Sequence, residues 1–149
     1  MPSQINEIIE RSRAAFKEGW LQDILKQPGA PFHTLAGLVG LINSSRASHG
    51  FEPLPHVDRE DGAQAIPVEL LYILPEQCDC RAIEEESAAR LIHPYKTNPL
   101  AVRPLIVEPM LIDGELRLAV RDGCLRYIAM IMAKEQGAQV DFVLVRSMR

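Results

Sequence analysis

The sequence predicts an α+β fold, in which a mixed β-sheet carries helices and is preceded by an N-terminal helical hairpin. Two observations predict the sheet and its helices: apolar, β-prone runs recur along residues 66–145, and segments with helical periodicity separate them. A third observation is that strands and helices do not alternate regularly, because two of the runs are joined directly through Asp113-Gly114. One hairpin within such a series is typical of a mixed α+β arrangement.

Length and composition are those of one compact domain with an appendage. The chain has 149 residues and a net charge of −4, and no apolar run is long enough to span a membrane. Its first residues lack the charged and apolar regions of a signal peptide, so we expect a cytoplasmic protein. The three cysteines, an odd number, do not indicate a disulfide framework.

The charge is distributed unevenly along the chain. Residues 1–57 carry five basic and five acidic groups and balance, whereas residues 58–92 carry three basic and nine acidic groups, a net charge of −6. Residues 93–149 carry eight basic and six acidic groups, a net charge of +2. This weak positive balance favours a small anionic ligand over a long nucleic-acid track, which usually needs a basic stripe.

Two helices are predicted at the start of the chain. Apolar residues at helical spacing predict an amphipathic helix over residues 4–26, with Ser3 as its N-cap and Pro28-Gly29 after its end. A second helix is predicted from about residue 31 to residue 43. The pair forms a helical hairpin that supports the core or docks on a partner, and structural support is the simpler of these roles.

A loop is predicted over residues 44–65, where serine, glycine, proline and acidic residues are frequent. This stretch is the best candidate for a boundary between an appendage and a core. We therefore divide the chain into an N-terminal helical extension and loop, residues 1–57, and a core domain, residues 58–149.

The core begins with an apolar run at residues 66–74, which predicts its first strand. Residues 81–92 predict a short helix, and the glutamates near its start suit the positive end of the helix dipole. We expect His93-Pro94 to end this helix, because proline interrupts a helix. The loop expected to follow carries Lys96 and Arg103.

The strongest local signal is a β-hairpin. Residues 104–112 and 115–120 are strand-like, and Asp113-Gly114 between them suits a type I′ turn, whose two central residues need positive φ. Apolar residues alternate along the second strand, so one hairpin face is predicted to be buried. That face carries Leu116, Leu118 and Val120. Residues 139–145 predict a last strand.

A second Asp-Gly pair, Asp122-Gly123, stands where the hairpin ends and a helical pattern over residues 127–136 approaches. A helix start offers free backbone N–H groups and the positive end of the dipole, which suit phosphate or another anion. Glycine lets the backbone come close to such an anion, and an arginine adds a charge-assisted contact. The predicted ligand-binding residues are therefore Gly123, Cys124, Leu125 and Arg126.

These residues also have structural interpretations. Asp122 could be the N-cap of the helix rather than a catalytic base or a metal ligand. Cys124 could be a small buried residue rather than a nucleophile. Arg126 could belong to an ion pair on the helix surface, but we favour a functional role for it.

The order of these elements, with Asp122-Gly123-Cys124-Leu125-Arg126 at a helix start, resembles the ParB/sulfiredoxin superfamily. The resemblance covers about residues 66–146: an Ile-Pro-Val strand, a short helix, a Pro-Leu-Ile-Val strand, a glycine hairpin and a closing apolar strand. In ParB-like proteins the corresponding turn reads roughly Asp/Gly-Gly-x-x-Arg and binds nucleotide phosphates. The resemblance therefore implies ATP or CTP as the ligand.

The same resemblance implies further site residues. Lys96 and Arg103 precede the strand where the family places phosphate-facing loops, and Glu76 follows the first strand, where some family enzymes place a catalytic acid. Asp122 would hold Mg²⁺ with the nucleotide or act as a base. Relatives act in plasmid partition, as nucleases, or as ATPases that interfere with conjugative DNA transfer. The implied function is a stand-alone nucleotide-binding protein, an ATPase or metal-assisted DNase acting on plasmid or mobile-element DNA.

Two other functions stay open. The sulfiredoxin branch carries Gly-Gly-Cys-His-Arg-Tyr where this chain has residues 122–127, which implies an ATP-dependent sulfinic-acid reductase that uses Cys124, with Leu125 replacing the histidine. A non-enzymatic module that binds a protein partner through the N-terminal helices is the third function. Cys78 and Cys80 with His93 do not show the ligand spacing of a structural zinc site.

Overall fold

The computed structural model describes residues 19–26, 34–73 and 85–147. Within these residues the protein has a five-stranded mixed sheet and four α-helices, which confirms the predicted α+β class. The predictions for residues 4–18, for Glu76 as a catalytic acid and for the thiols of Cys78 and Cys80 lie outside the described residues.

Two helices lead into the sheet, α1 (Gly19–Leu25) and α2 (Leu35–Ser48). Thr34 caps α2, because its hydroxyl oxygen accepts a hydrogen bond from the backbone nitrogen of Gly37 at 3.0 Å. The two helices pack against each other, with α1 also contacting the fourth strand and α2 the first strand of the sheet. The N-terminal helices are therefore packed on the core.

The end of α2 differs from the prediction, which assigned residues 44–48 to a loop. A serine hydroxyl favours turns when it forms hydrogen bonds that compete with those of a helix backbone. Here the serine hydroxyls instead donate to carbonyl oxygens of helical residues. Ser48 Oγ donates to Ser44 O at 3.1 Å, and Ser45 Oγ donates to Trp20 O at 2.8 Å. The second bond joins α2 to α1, so a tertiary contact outweighs the local preference.

Five strands form the sheet. They are β1 (Gln64–Pro67), β2 (Leu71–Tyr72), β3 (Leu105–Ile112), β4 (Glu115–Asp122) and β5 (Phe142–Ser147). Their order across the sheet is β1-β5-β3-β4-β2. The pairs β1–β5 and β3–β4 are antiparallel, whereas β3–β5 and β2–β4 are parallel.

The apolar run at residues 66–74 is not the single strand that was predicted. β1 ends at Pro67, a 3₁₀ turn covers Val68–Leu70, and β2 begins at Leu71 on the opposite edge of the sheet. Four Cα–Cα steps reach at most about 14 Å, whereas the four inter-strand spacings of a flat sheet need about 19 Å. The sheet must therefore curve, so that its two edges approach each other.

The helix predicted to stop at His93-Pro94 continues through this pair. Helix α3 spans Glu85–Thr97, with Pro94 in its C-terminal part. Proline removes its own N–H from the helix but leaves its carbonyl oxygen, which accepts a hydrogen bond from Asn98 N at 2.9 Å. Because the helix continues, Tyr95 lies on α3 and not in a loop.

The hairpin is confirmed. Asp113 and Gly114 both have positive φ, +52° and +79°, and join β3 directly to β4. Helix α4 follows β4 and spans Cys124–Glu135, so it begins three residues before the predicted pattern and packs against α3. β5 closes the described chain a little later than predicted.

β4 is buried on both faces, whereas the alternation predicted one buried face. Residues 116–120 are all buried, including Arg117 at 9% exposure. Successive side chains of a strand point to opposite faces, so both sides of β4 are covered. The Arg117 guanidinium tolerates this because Nη1 donates to Glu69 O at 2.8 Å and Nη2 donates to Glu115 Oε1 at 3.0 Å.

One hydrophobic core joins the N-terminal helices to the sheet. Buried side chains of α1 and α2 pack in the same cluster as those of the strands and of α4. This core includes residues on both sides of residue 57, where the sequence predicts a boundary. The division into two parts stays a prediction. No helix in the part of the chain that the structure describes combines the length and the apolar character needed to cross a membrane.

Candidate functional site

The turn between β4 and α4 is the predicted site, and its backbone geometry is unusual. Gly123 is the N-cap residue and has φ +103° and ψ 28°, in the left-handed region. Asp122 is therefore not the N-cap; it is the exposed last residue of β4 and pairs with Ile106 of β3. Gly123 O accepts the first hydrogen bond of the helix, from Tyr127 N at 2.9 Å.

The first turn of α4 keeps the properties of an anion site. Its N-cap provides no side-chain hydrogen bond, and it contains no acidic residue. The N–H groups at a helix start have no partner within the helix, and an anion is the kind of acceptor that such groups bind. The positive end of the helix dipole favours a negatively charged acceptor there.

Because Gly123 has no side chain, the side chains of Leu105 and Arg126 can pack against its backbone. A Cβ atom at this position would lie 2.6 Å from Leu105 Cδ2 and 2.9 Å from Arg126 Nη2. The Arg126 side chain therefore folds back over Gly123, so that its guanidinium lies beside the start of its own helix.

The Arg126 guanidinium is poorly satisfied for a half-buried group. Nη2 donates to Pro104 O at 3.3 Å, a long hydrogen bond, and the buried Nε has no hydrogen-bond partner in the described part of the chain. None of the ion pairs formed among the described residues includes Arg126. The alternative interpretation as a surface ion pair therefore finds no partner in the described residues, and the guanidinium has donors left for another acceptor.

Tyr95 is a neighbour of this group that sequence inspection missed. It lies on α3 and is 1% exposed, and none of the residues that the structure describes forms a hydrogen bond with its hydroxyl. Burial raises the pKa of Tyr95 to about 12, while the positive charge of Arg126 acts in the opposite direction and so lies within electrostatic reach. The two residues are far apart in the chain, and no local sequence pattern indicates their proximity.

The other predicted residues differ in their burial and in their position relative to the turn. Cys124 is buried at 7% exposure and Leu125 is half-buried. Arg103 is exposed and directly precedes Pro104, whose carbonyl oxygen binds Arg126. Lys96 is exposed in the last turn of α3. The turn residues are thus together, with Arg103 next to them in the chain, while no described contact links Lys96 to Arg126.

Metal ligands are not gathered at the turn. Among the described residues, no group of three or more histidine, cysteine, aspartate or glutamate side chains could hold a metal ion. Of the described residues, Asp122 is the carboxylate in the sequence of this turn, which suits a Mg²⁺ ion that arrives with nucleotide phosphates rather than a dedicated metal site.

A groove of about 500 Å³ lies elsewhere, between α1 and α2. Most of its polar groups already have partners: Asp23 Oδ2 bonds His49 Nε2 at 2.9 Å, and Ser45 and Ser48 donate to backbone oxygens. It contains none of the residues predicted for the site. We therefore consider the β4–α4 turn the better candidate.

Comparisons of this chain with protein-family models, with curated proteins and with solved structures find no match. What the site can bind has to follow from its own chemistry. That chemistry is a helix start without acidic residues, a glycine against which Leu105 and Arg126 pack closely, and an arginine with unused donors.

Proposed function

We propose that the β4–α4 turn binds the phosphate groups of a nucleotide, ATP or CTP. The observation that carries the proposal is the state of Arg126, which lies at the start of α4 with one long hydrogen bond and a buried Nε that has no partner. A phosphate oxygen would satisfy this donor and would also accept from the N–H groups of the first turn. A cation held at the positive end of a helix is unfavourable without such an anion.

The sequence pattern supports a nucleotide among phosphate-containing ligands. The resemblance to the ParB/sulfiredoxin superfamily rests on Asp122-Gly123-Cys124-Leu125-Arg126 within an ordered series of strands and helices. The series of strand, helix, hairpin, helix and strand occurs in the described residues, although the first strand is split. Arg103 beside Pro104 would add positive charge near the same position.

Chemistry on the bound nucleotide, or on plasmid or mobile-element DNA, would be a further step of this proposal. Mg²⁺ bound by the phosphates and by the exposed carboxylate of Asp122 would polarise a phosphoryl oxygen. The sulfinic-acid reductase is the weaker proposal, because the thiol of Cys124 is buried and would have to reach a sulfinic acid on another protein. A protein-interaction module would leave the unused donors of Arg126 unexplained.

Calorimetric titration tests the proposal. ATP and CTP are titrated, with and without Mg²⁺, into the wild-type protein, Arg126→Ala and Arg121→Ala. Arg121 is the matched control, because it lies on β4 close to the turn but forms an exposed ion pair with Glu108 at 2.7 Å. Loss of a charge-assisted contact is expected to weaken binding about 10-fold to 100-fold in Arg126→Ala, with little change in Arg121→Ala.

Two results would contradict the proposal. The first is the absence of binding of either nucleotide to the wild-type protein. The second is equal binding to the wild-type protein and to folded Arg126→Ala, with folding verified by circular dichroism. If binding is found, ATP hydrolysis and DNA cleavage by the wild-type protein and by Asp122→Asn show whether catalysis follows from it.

A further inference from the structure

Two of the buried polar atoms that find no hydrogen-bond partner among the described residues lie on neighbouring helices. They are Tyr95 Oη on α3 and Arg126 Nε on α4. Buried polar groups are nearly always hydrogen-bonded, because burial without a partner costs free energy, so each such atom needs an explanation. The simplest explanation for both is a shared partner that is not part of the chain.

The two side chains are carried by helices that pack against each other. The charge of Arg126 acts on the Tyr95 hydroxyl. Tyr95 is almost fully buried, whereas Arg126 is half-buried and its guanidinium lies over Gly123.

The chemistry of the two atoms restricts the partner. The Nε–H group of arginine only donates a hydrogen bond, and a tyrosine hydroxyl donates readily. A single oxygen that accepts from both satisfies both, and phosphate, sulfate and carboxylate oxygens do so. The start of α4 is close by and adds a positive potential, which favours an anion over a neutral water molecule.

We infer that Tyr95 is a ligand-contacting residue of this site, and that a phosphate oxygen of the nucleotide is held between Tyr95 Oη and Arg126 Nε. The inference rests on the proposed nucleotide binding and adds a residue from α3 to a site predicted only from the β4–α4 turn. The long bond from Arg126 Nη2 to Pro104 O, 3.3 Å, is easily exchanged for a phosphate contact.

The test compares Tyr95→Phe with the wild-type protein and with Tyr72→Phe. Tyr72 is a matched control, because it lies on β2 and not on α3 or α4. ATP, CTP and inorganic pyrophosphate are titrated into each protein, and the thermal midpoint is measured without ligand. Loss of the contact is expected to lower the affinity for each ligand that binds the wild-type protein by about 10-fold in Tyr95→Phe and not in Tyr72→Phe.

The thermal midpoint without ligand separates a ligand contact from a structural role. Removing a hydroxyl that has no partner should leave the midpoint of Tyr95→Phe unchanged or raise it, because the buried group is no longer unsatisfied. A clear fall in the midpoint together with unchanged affinity would mean that the hydroxyl serves the fold through a bound water, and would overturn the inference.

A spectroscopic measurement on the wild-type protein does not depend on the folding of a variant. Pyrophosphate that contacts Tyr95 should shift the near-ultraviolet absorption of tyrosine in the wild-type protein, and the shift should be lost in Tyr95→Phe. Binding without such a shift would overturn the inference. Nucleotide binding that falls in Arg126→Ala but is unchanged in Tyr95→Phe would leave the proposed function intact and remove Tyr95 from the site. Absence of any binding to the wild-type protein would overturn both.

Discussion

At the scale of single residues, the buried Arg117 and the half-buried Arg126 differ in how well their guanidinium groups are hydrogen-bonded. Arg117 has a partner for each terminal nitrogen, Glu69 O and Glu115 Oε1, and its burial is thereby explained. Arg126 has one long bond and a buried Nε without a partner. A satisfied buried charge is consistent with a structural role, whereas an unsatisfied one needs a functional explanation.

Replacing Gly123 by alanine should destabilise the protein by about 2–4 kcal/mol, from left-handed backbone strain together with overpacking. The new Cβ would lie 2.6 Å from Leu105 Cδ2, and Leu105 is completely buried, so it has no room to move away. Urea unfolding of the wild-type protein and the variant measures the change in the free energy of unfolding.

Gly62→Ala separates the two causes. Gly62 also has positive φ, +77°, but nothing lies within 4 Å of the place that a Cβ atom would occupy there. Only the backbone strain therefore applies, and a loss of about 1 kcal/mol is expected. Equal losses in the two variants would show that the packing of Leu105 against the turn contributes nothing.

At the scale of elements, one arginine joins the N-terminal helices to the sheet. The guanidinium of Arg46 on α2 lies 4.7 Å from the ring centre of Trp20, 5.5 Å from that of Phe51 and 5.4 Å from that of Phe142. Its Nε also donates to Glu52 O at 2.7 Å. Trp20 belongs to α1 and Phe142 to β5, so this cluster connects both helices with the sheet.

Arg46→Ala should therefore loosen the attachment of the helices and lower the free energy of unfolding by about 2 kcal/mol, from lost cation–π contacts and one hydrogen bond. Trp20 is the single tryptophan of the chain, so its fluorescence reports this cluster directly. The expected result is a lower urea midpoint and emission shifted to longer wavelength.

Arg59→Ala is the control for this variant. Arg59 is exposed and pairs with Asp61 at 2.9 Å, and such surface pairs contribute little to stability because solvent screens them. The interpretation of Arg46 as a connection between elements would be refuted if both variants had the same stability and if Trp20 emission stayed unchanged.

At the scale of the whole molecule, the curved sheet and the N-terminal helices share one core. The short 3₁₀ turn between β1 and β2 connects the two edge strands, which requires curvature. Side chains of α1 and α2, among them Ile24, Leu38 and Ile42, are fully buried in the same hydrophobic cluster as the strands. Separation of the helices would expose this cluster to water.

We therefore expect the full chain to unfold in one cooperative transition. Trp20 fluorescence, which reports the helices, and far-ultraviolet circular dichroism, which reports the whole backbone, should give the same urea midpoint within error. Two separated midpoints would instead support an independent unit that ends near residue 57, as the composition of the loop suggested.

Local chemistry made part of the fold predictable. Asp113-Gly114 between two strand-like runs was sufficient for the hairpin, because few residues other than glycine, asparagine and aspartate adopt positive φ at low cost. Asp122-Gly123 likewise located the start of α4 and the candidate site, since the left-handed conformation needed there is also a property of glycine. These predictions depend on one or two neighbouring residues.

The sequence by itself thus determined the α+β class, the hairpin and the position of the β4–α4 turn, because these follow from hydrophobic period and from backbone preferences. Only the tertiary structure decided that residues 66–74 split between two edges of the sheet, that Arg117 is buried and that Tyr95 lies within electrostatic reach of Arg126. Strand partners, the covering of a second face and the packing of two helices join residues far apart in the chain, and no local pattern records those contacts.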